Sequence, residues 1–154
     1  MNLEPSVENR QKPCEIDSMC YEILQKESTD NWKDFFREGN SLPKDSINLC
    51  VVDSLFNEFV IHYNMSLATR FERDYEKDSL IAEFSLKATD YCVQIVSYHY
   101  KDEIQMLLSC LHKDRINDYE HWRHNYFGML SEKGMGHFYL TLNQTARKIV
   151  YYKP

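Results

Sequence analysis

Glycine and proline are scarce in this chain, with four of each in 154 residues. That is too little glycine for a phosphate-cradling loop. Gly134-Met135-Gly136-His137 also lacks the preceding strand and following helix that such a loop needs; it reads as the end of a helix and the start of a hairpin. Neither a CxxC pair nor an HExxH motif occurs, which removes the common signatures of zinc sites. No run of about eighteen apolar residues exists, so a membrane-spanning helix is excluded. Met1 to Glu15 holds no apolar core of signal-peptide length. Internal repeats and low-complexity tracts are missing too.

The five cysteines, Cys14, Cys20, Cys50, Cys92 and Cys110, are odd in number. Cys20, Cys92 and Cys110 sit beside apolar positions of helical patterns, where a free thiol acts as a small hydrophobe. Reduced thiols without an export signal predict an intracellular protein of the cytoplasm or nucleus. Asn64-Met65-Ser66 and Asn143-Gln144-Thr145 match the glycosylation triplet, which carries meaning only in a secreted chain.

The composition itself, 43% hydrophobic and 27% charged, is that of a folded chain rather than a disordered one. Its length suits one domain with a real core. Eleven tyrosines stand out, and tyrosine suits both half-buried faces and interfaces. The net charge of −6 is uneven: residues 1–80 hold sixteen acids and nine bases, residues 81–154 eight acids and nine bases. An acidic front half repels phosphate backbones, so sequence-blind nucleic-acid binding is disfavoured for the whole protein.

Residues 1–13 are polar and aperiodic and read as a loose tail, leaving 14–154 as a single helical domain. Ile16, Met19, Cys20, Ile23 and Leu24 follow helical spacing to about Lys26. Trp32, Phe35 and Phe36 mark a short second helix ending at Gly39. Pro43 starts a third, whose stripe is Val52, Leu55, Phe56, Phe59, Val60 and Tyr63, with a break expected near Glu76–Ser79. From Leu80 to Leu111 apolar residues recur at three- and four-residue steps on two opposite faces, which predicts a central helix over about 79–112 covered from both sides. Lys101-Asp102-Glu103 interrupts it as a kink or split. A helix over about 114–130 would bury Tyr119, Trp122, Tyr126, Met129 and Leu130. The final stretch alternates, giving a β-hairpin at about 137–153 that must dock on something. The expected fold is therefore mainly α: about five helices bundled around a two-sided central helix, with a C-terminal β-hairpin.

Little in this sequence specifies chemistry. Asp118, His121 and His124 recur every third residue and offer imidazole and carboxylate on one helix face, a weak metal candidate if His112 or His137 supplies another ligand. Cys110 and His112 stand two apart, and on a helix such positions diverge, so they cannot pair as nucleophile and base. No cofactor and no catalytic activity are expected. The expected function is a small interaction module, an adaptor or complex subunit, whose partner is another protein or a second copy forming a homodimer. The hairpin is its candidate interface through Tyr139, Ile149, Tyr151 and Tyr152, because a terminal strand offers an edge for pairing. Two alternatives stand beside it: single-stranded nucleic-acid binding by the hairpin tyrosines with Arg147 and Lys148, and a metal-dependent enzyme built on the Asp118, His121 and His124 face.

Overall fold

The computed structural model describes residues 19–30, 42–126 and 136–153. Over these residues the chain is α+β, which overturns the expected five-helix bundle. Strands β1 (Cys20–Ile23), β2 (Tyr91–Tyr100), β3 (Glu103–His112), β4 (His137–Asn143) and β5 (Lys148–Lys153) form one sheet in that spatial order. β1 runs parallel to β2, and every other pairing is antiparallel. The helices are α1 (Leu49–Arg70), α2 (Lys77–Phe84) and α3 (Tyr119–His124).

The expected central helix is where the reading failed. Only Lys77–Phe84 is α-helical; a connector with a 3₁₀ turn at Ala88–Asp90 follows, and then the β2–β3 hairpin. Tyr91 to Ser97 are seven consecutive buried residues. A strand buried on both faces yields a continuous apolar run, and such a run also satisfies helical spacing on two sides. The need for cover from both directions was real, but the element was a strand. The turn hid as well: Lys101 and Asp102 have φ of 50° and 63°, the left-handed pair of a two-residue hairpin that Asn-Gly usually marks.

α1 covers one face of the sheet. Asn48 caps it by accepting from the N–H groups of Cys50 and Val51, satisfying two otherwise orphaned donors. Val52, Leu55, Phe56, Phe59 and Val60 then lie on Val93 and Ile95 of β2, Met106, Leu108 and Cys110 of β3, and Phe138, Leu140 and Leu142 of β4. Phe138 is the hub: its ring stacks on Phe56 and Phe59 at 6.2 and 5.2 Å and meets Tyr91 edge-on at 5.1 Å. The helix continues to Arg70, where its C-terminal end falls short of the break expected near Glu76–Ser79.

The opposite face is covered in part. Trp122 of α3 packs on Cys92 and Leu111, while Leu24 and Tyr126 pack around Val96 and Leu107. Gln94 is fully buried there, and its amide donates to the carbonyls of Trp122 and Asn125 at 2.6 and 2.7 Å. Those carbonyls belong to a helix end that lacks internal partners, so one buried amide fixes α3 on the sheet.

Other boundaries also shift. Cys20–Ile23 is a strand rather than part of a first helix, because β2 supplies a pairing edge that local spacing cannot reveal. In the expected 114–130 helix only Tyr119–His124 is α-helical among the described residues, after a 3₁₀ turn at Lys113–Arg115. The tail at 1–13, the Trp32–Glu38 helix, Met129, Leu130 and Gly134 lie outside the described residues. The 137–142 alternation is β4, with β5 paired to it. Neither glycosylation triplet has a free amide: Asn64 bonds both the N–H and the carbonyl of Leu86, and Asn143 is buried, bonding Glu103 and Ala146.

Phe138→Ala removes the aromatic hub and should cost about 3–5 kcal/mol by denaturant unfolding. Burial pushes the Tyr152 phenol up to about 12, with Tyr63 adding and Arg70 opposing, and burial raises Tyr91 and Tyr126 further still. A phenol raised on folding stabilises the protein below its unfolded value near 10 and loses that contribution as pH climbs through the folded value. Thermal melts should therefore show a lower midpoint at pH 11 than at pH 8, and Tyr152→Phe should narrow the gap.

Candidate functional site

Among the described residues, Asp118, His121, His124, His112 and His137 do not come together in one cluster. Asp118 is the N-cap of α3, its carboxylate accepting from the N–H groups of Glu120 and His121. The His121 ring lies 3.3 Å from the Asn125 amide. His124 reaches the Ser28 carbonyl through Nδ1 at 3.3 Å and Glu120 through Nε2 at 3.7 Å. Each of the three serves a different neighbour, and no group of three or more His, Cys, Asp or Glu among the described residues could hold a metal ion. His112 and His137, the proposed further ligands, sit elsewhere.

His112 lies in a cleft of about 430 Å³ with Glu83, Lys87, Asp90, Tyr91 and Arg115. Its Nδ1 accepts from the Asp114 N–H at 3.1 Å, which places the proton of the neutral ring on Nε2, facing Asp90 at 4.0 Å. The ring thus joins the turn before β2 to the turn after β3 and leaves no free base nitrogen. Cys110 precedes it by two on β3, so the helical argument against their pairing does not apply; on a strand they share a face. Burial settles the matter instead, since it pushes the Cys110 thiol well up and away from the reactive thiolate.

A closer pair was missed in the sequence. Ser109 Oγ and His137 Nε2 are 2.7 Å apart, with the Tyr139 hydroxyl 3.5 Å from His137 Nδ1. Register brings them together, since Ser109 opposite Tyr139 makes His137 its diagonal neighbour. Both Ser109 and His137 are buried, so substrate has no route to the hydroxyl. This is a satisfied polar pair inside the sheet's second face.

What stays open is the end of that second face and the edge beside it. β5 is an outer strand, paired only to β4 among the described residues. Its register to β4 slips by one between Thr141 and Leu142, leaving Val150 as the extra residue of a bulge. The bulge breaks the alternation, so Ile149 and Tyr152 both turn towards α1, where Tyr152 packs 4.8 Å from Phe59. Tyr151 is turned the other way and is 58% exposed, and Val150 is 46% exposed. Of the four expected interface residues, then, Ile149 and Tyr152 belong to the core, Tyr139 is half-buried beside His137, and Tyr151 faces outward.

Tyr151 has company. Tyr98, Gln105, Leu107, Tyr139 and Thr141 line the same face, all partly exposed, and Tyr100 at its tip is 50% exposed. Lys101 lies over the Tyr100 ring at 5.3 Å. Arg147, at φ 54° in the β4–β5 turn, and Lys148 add exposed positive charge. Against them stand Asp102 and Glu103, the latter bonded to Asn143. A face with Tyr151 but without Tyr152 also divides the aromatic set on which base stacking was to rest.

The two faces are separable by mutation. Tyr151→Ala should leave stability unchanged within about 0.5 kcal/mol, while Tyr152→Ala should cost roughly 2–3 kcal/mol in denaturant unfolding. Equal losses would mean that the bulge does not divide the strand as described. No protein-family model, curated protein or solved structure matches this chain.

Proposed function

We propose that the protein is a non-catalytic interaction module that binds an extended, acidic segment of a partner protein along β5 and the adjoining tyrosine face. One observation carries this reading: the outer edge of β5 has no partner strand among the described residues, and its exposed Val150 and Tyr151 stand next to Arg147 and Lys148. An edge strand offers unpaired backbone groups to an added strand, while neighbouring side chains select it. Tyrosine supplies contact area at low entropic cost, and charge of one sign supplies orientation and on-rate. A second copy fits less well, because the bulge at Val150 interrupts the row of backbone groups that antiparallel self-pairing of β5 would use.

No helix among the described residues is long and apolar enough to cross a membrane. The expectation of cytoplasm or nucleus rested on reduced cysteines. Cys20 is bonded to Cys92, and Cys50 is disulfide-bonded as well, so cysteine usage now favours an oxidising compartment.

A ten-residue peptide alternating glutamate with valine is the probe, with a lysine–valine peptide as control. The acidic peptide should bind, shift amide resonances of 137–143 and 148–153, and weaken with salt; Arg147→Glu with Lys148→Glu should reduce affinity about tenfold. Equal binding of both peptides, shifts confined to other elements, or a concentration-dependent dimer that the acidic peptide cannot dissociate would each overturn the reading.

A further inference from the structure

The sheet has two outer strands, and they are treated differently. β5 is held by pairing and packing. β1 is only four residues long, yet it carries a covalent bond: Cys20 is joined to Cys92, its direct register partner on β2, across 72 residues of sequence. Tyr21 and Ile23 reach the core on the α1 side, Leu24 is buried against Val96, and the Leu24 N–H donates to the Ile95 carbonyl. Beneath β1 lies the most deeply buried stretch of β2, where Cys92, Val93, Gln94 and Ile95 are fully enclosed. A long apolar strand with its edge uncovered is a template for unwanted pairing.

We infer that the Cys20–Cys92 bond is a reducible latch that keeps β1 on β2, and that its reduction releases β1 and opens the β2 edge. The two sulfurs are unequal. Cys92 is buried against Leu111 and Trp122, whereas Cys20 is partly exposed, so a thiolate approaches at Cys20. A dithiol reductant attacks the Cys20 sulfur, breaking the Cys20–Cys92 bond and forming a mixed disulfide. Cys92 leaves as a thiolate and takes up a proton. The second thiol of the reductant then attacks its own sulfur in the mixed disulfide, and Cys20 departs as the other thiol. Two electrons pass to the protein, and the reductant ends as a cyclic disulfide. What remains to hold the segment is four residues of parallel pairing, the Leu24 N–H bond to Ile95 and four apolar side chains, Met19, Tyr21, Ile23 and Leu24, and so short a strand is marginal in water. The loss also restores the entropy of a long open loop in the unfolded chain. Oxidising conditions keep the latch closed, and a dithiol reductant opens it.

Hydrogen exchange by mass spectrometry tests this on the full chain, after a non-reducing peptide map for the cross-linked Cys20–Cys92 pair. Dithiothreitol also reduces the Cys50 disulfide, so Cys20→Ser isolates the latch. In that variant a peptide covering 19–25 should exchange at least about tenfold faster than in the oxidised parent, and one covering 91–97 should accelerate with it. Peptides of β3 and β4 should not change, which shows that the sheet remains folded. Dithiothreitol on the unaltered chain provides the second measurement, with Cys20 and Cys92 becoming alkylatable while buried Cys110 stays protected. Absence of the cross-linked pair from the map overturns the inference. Exchange at 19–25 that rises by less than this in both the variant and the reduced parent overturns it too, since β1 would then be held without the bond.

Discussion

Burial of β2 on every side is the constraint that the rest of the structure serves. From Tyr91 to Ser97 no residue is left accessible, and a strand in that position needs hydrogen-bond partners on both edges and cover on both faces. β3 supplies one edge along the whole length, and β1 supplies the other over Cys92–Ile95. α1 supplies one face, and Trp122, Leu24 and Tyr126 supply the second. Each of these elements is marginal alone: a four-residue strand, a six-residue helix, a hairpin. Together they enclose one strand, and the stability of each is inseparable from it.

Polar side chains set the angles at which the pieces meet. Gln144, in the β4–β5 turn, accepts from the Asn48 N–H at 2.8 Å and donates to the Ser46 carbonyl at 2.9 Å, so the hairpin and the start of α1 are tied at one residue. Asn64 does the same between the middle of α1 and the exit of α2 through both backbone groups of Leu86. Gln94 holds α3. In each case an amide with one donor end and one acceptor end satisfies backbone groups that no ladder reaches. A buried amide so used is directional where apolar packing is not, which fixes the tyrosine face relative to the α1 face.

Legibility in the sequence followed how local each signal was. The α1 stripe was readable because Val52, Leu55, Phe56, Phe59 and Val60 turn one face to the core and α1 leaves the other wet. The β4 alternation was readable for the equivalent reason in a strand. β2 and β3 were not, since cover on both faces erases the period that distinguishes strand from helix, and Lys101-Asp102 adopts a glycine-type turn without glycine. Within residues 80–111 the cover on both sides holds only for the strands, above all Tyr91–Ser97; α2 buries no residue and Phe84 is exposed. The Cys20–Cys92 bond was invisible for a different reason: 72 residues separate the two, and only the parallel register of β1 on β2 brings them together. Tyr151 was placed correctly as a strand residue, but the bulge that separates it from Ile149 and Tyr152 leaves no sequence mark.

That bulge also determines what the open edge can accept. A regular edge strand would offer an uninterrupted row of backbone groups and invite any strand, including a second copy. The extra residue at Val150 interrupts the row and increases the local twist, so an added strand can be in register on only one side of it at a time. Backbone pairing alone is then too short to hold a partner, and affinity must come from side chains beside the edge. Those are Tyr151, the half-exposed Tyr139 on neighbouring β4, and the bases at Arg147 and Lys148; Tyr98 and Tyr100 lie on β2, further in on the same face. The extended acidic segment proposed as partner would meet both the edge backbone and these bases, a narrower requirement than either feature imposes alone. The same irregularity thus limits promiscuous strand pairing along β5.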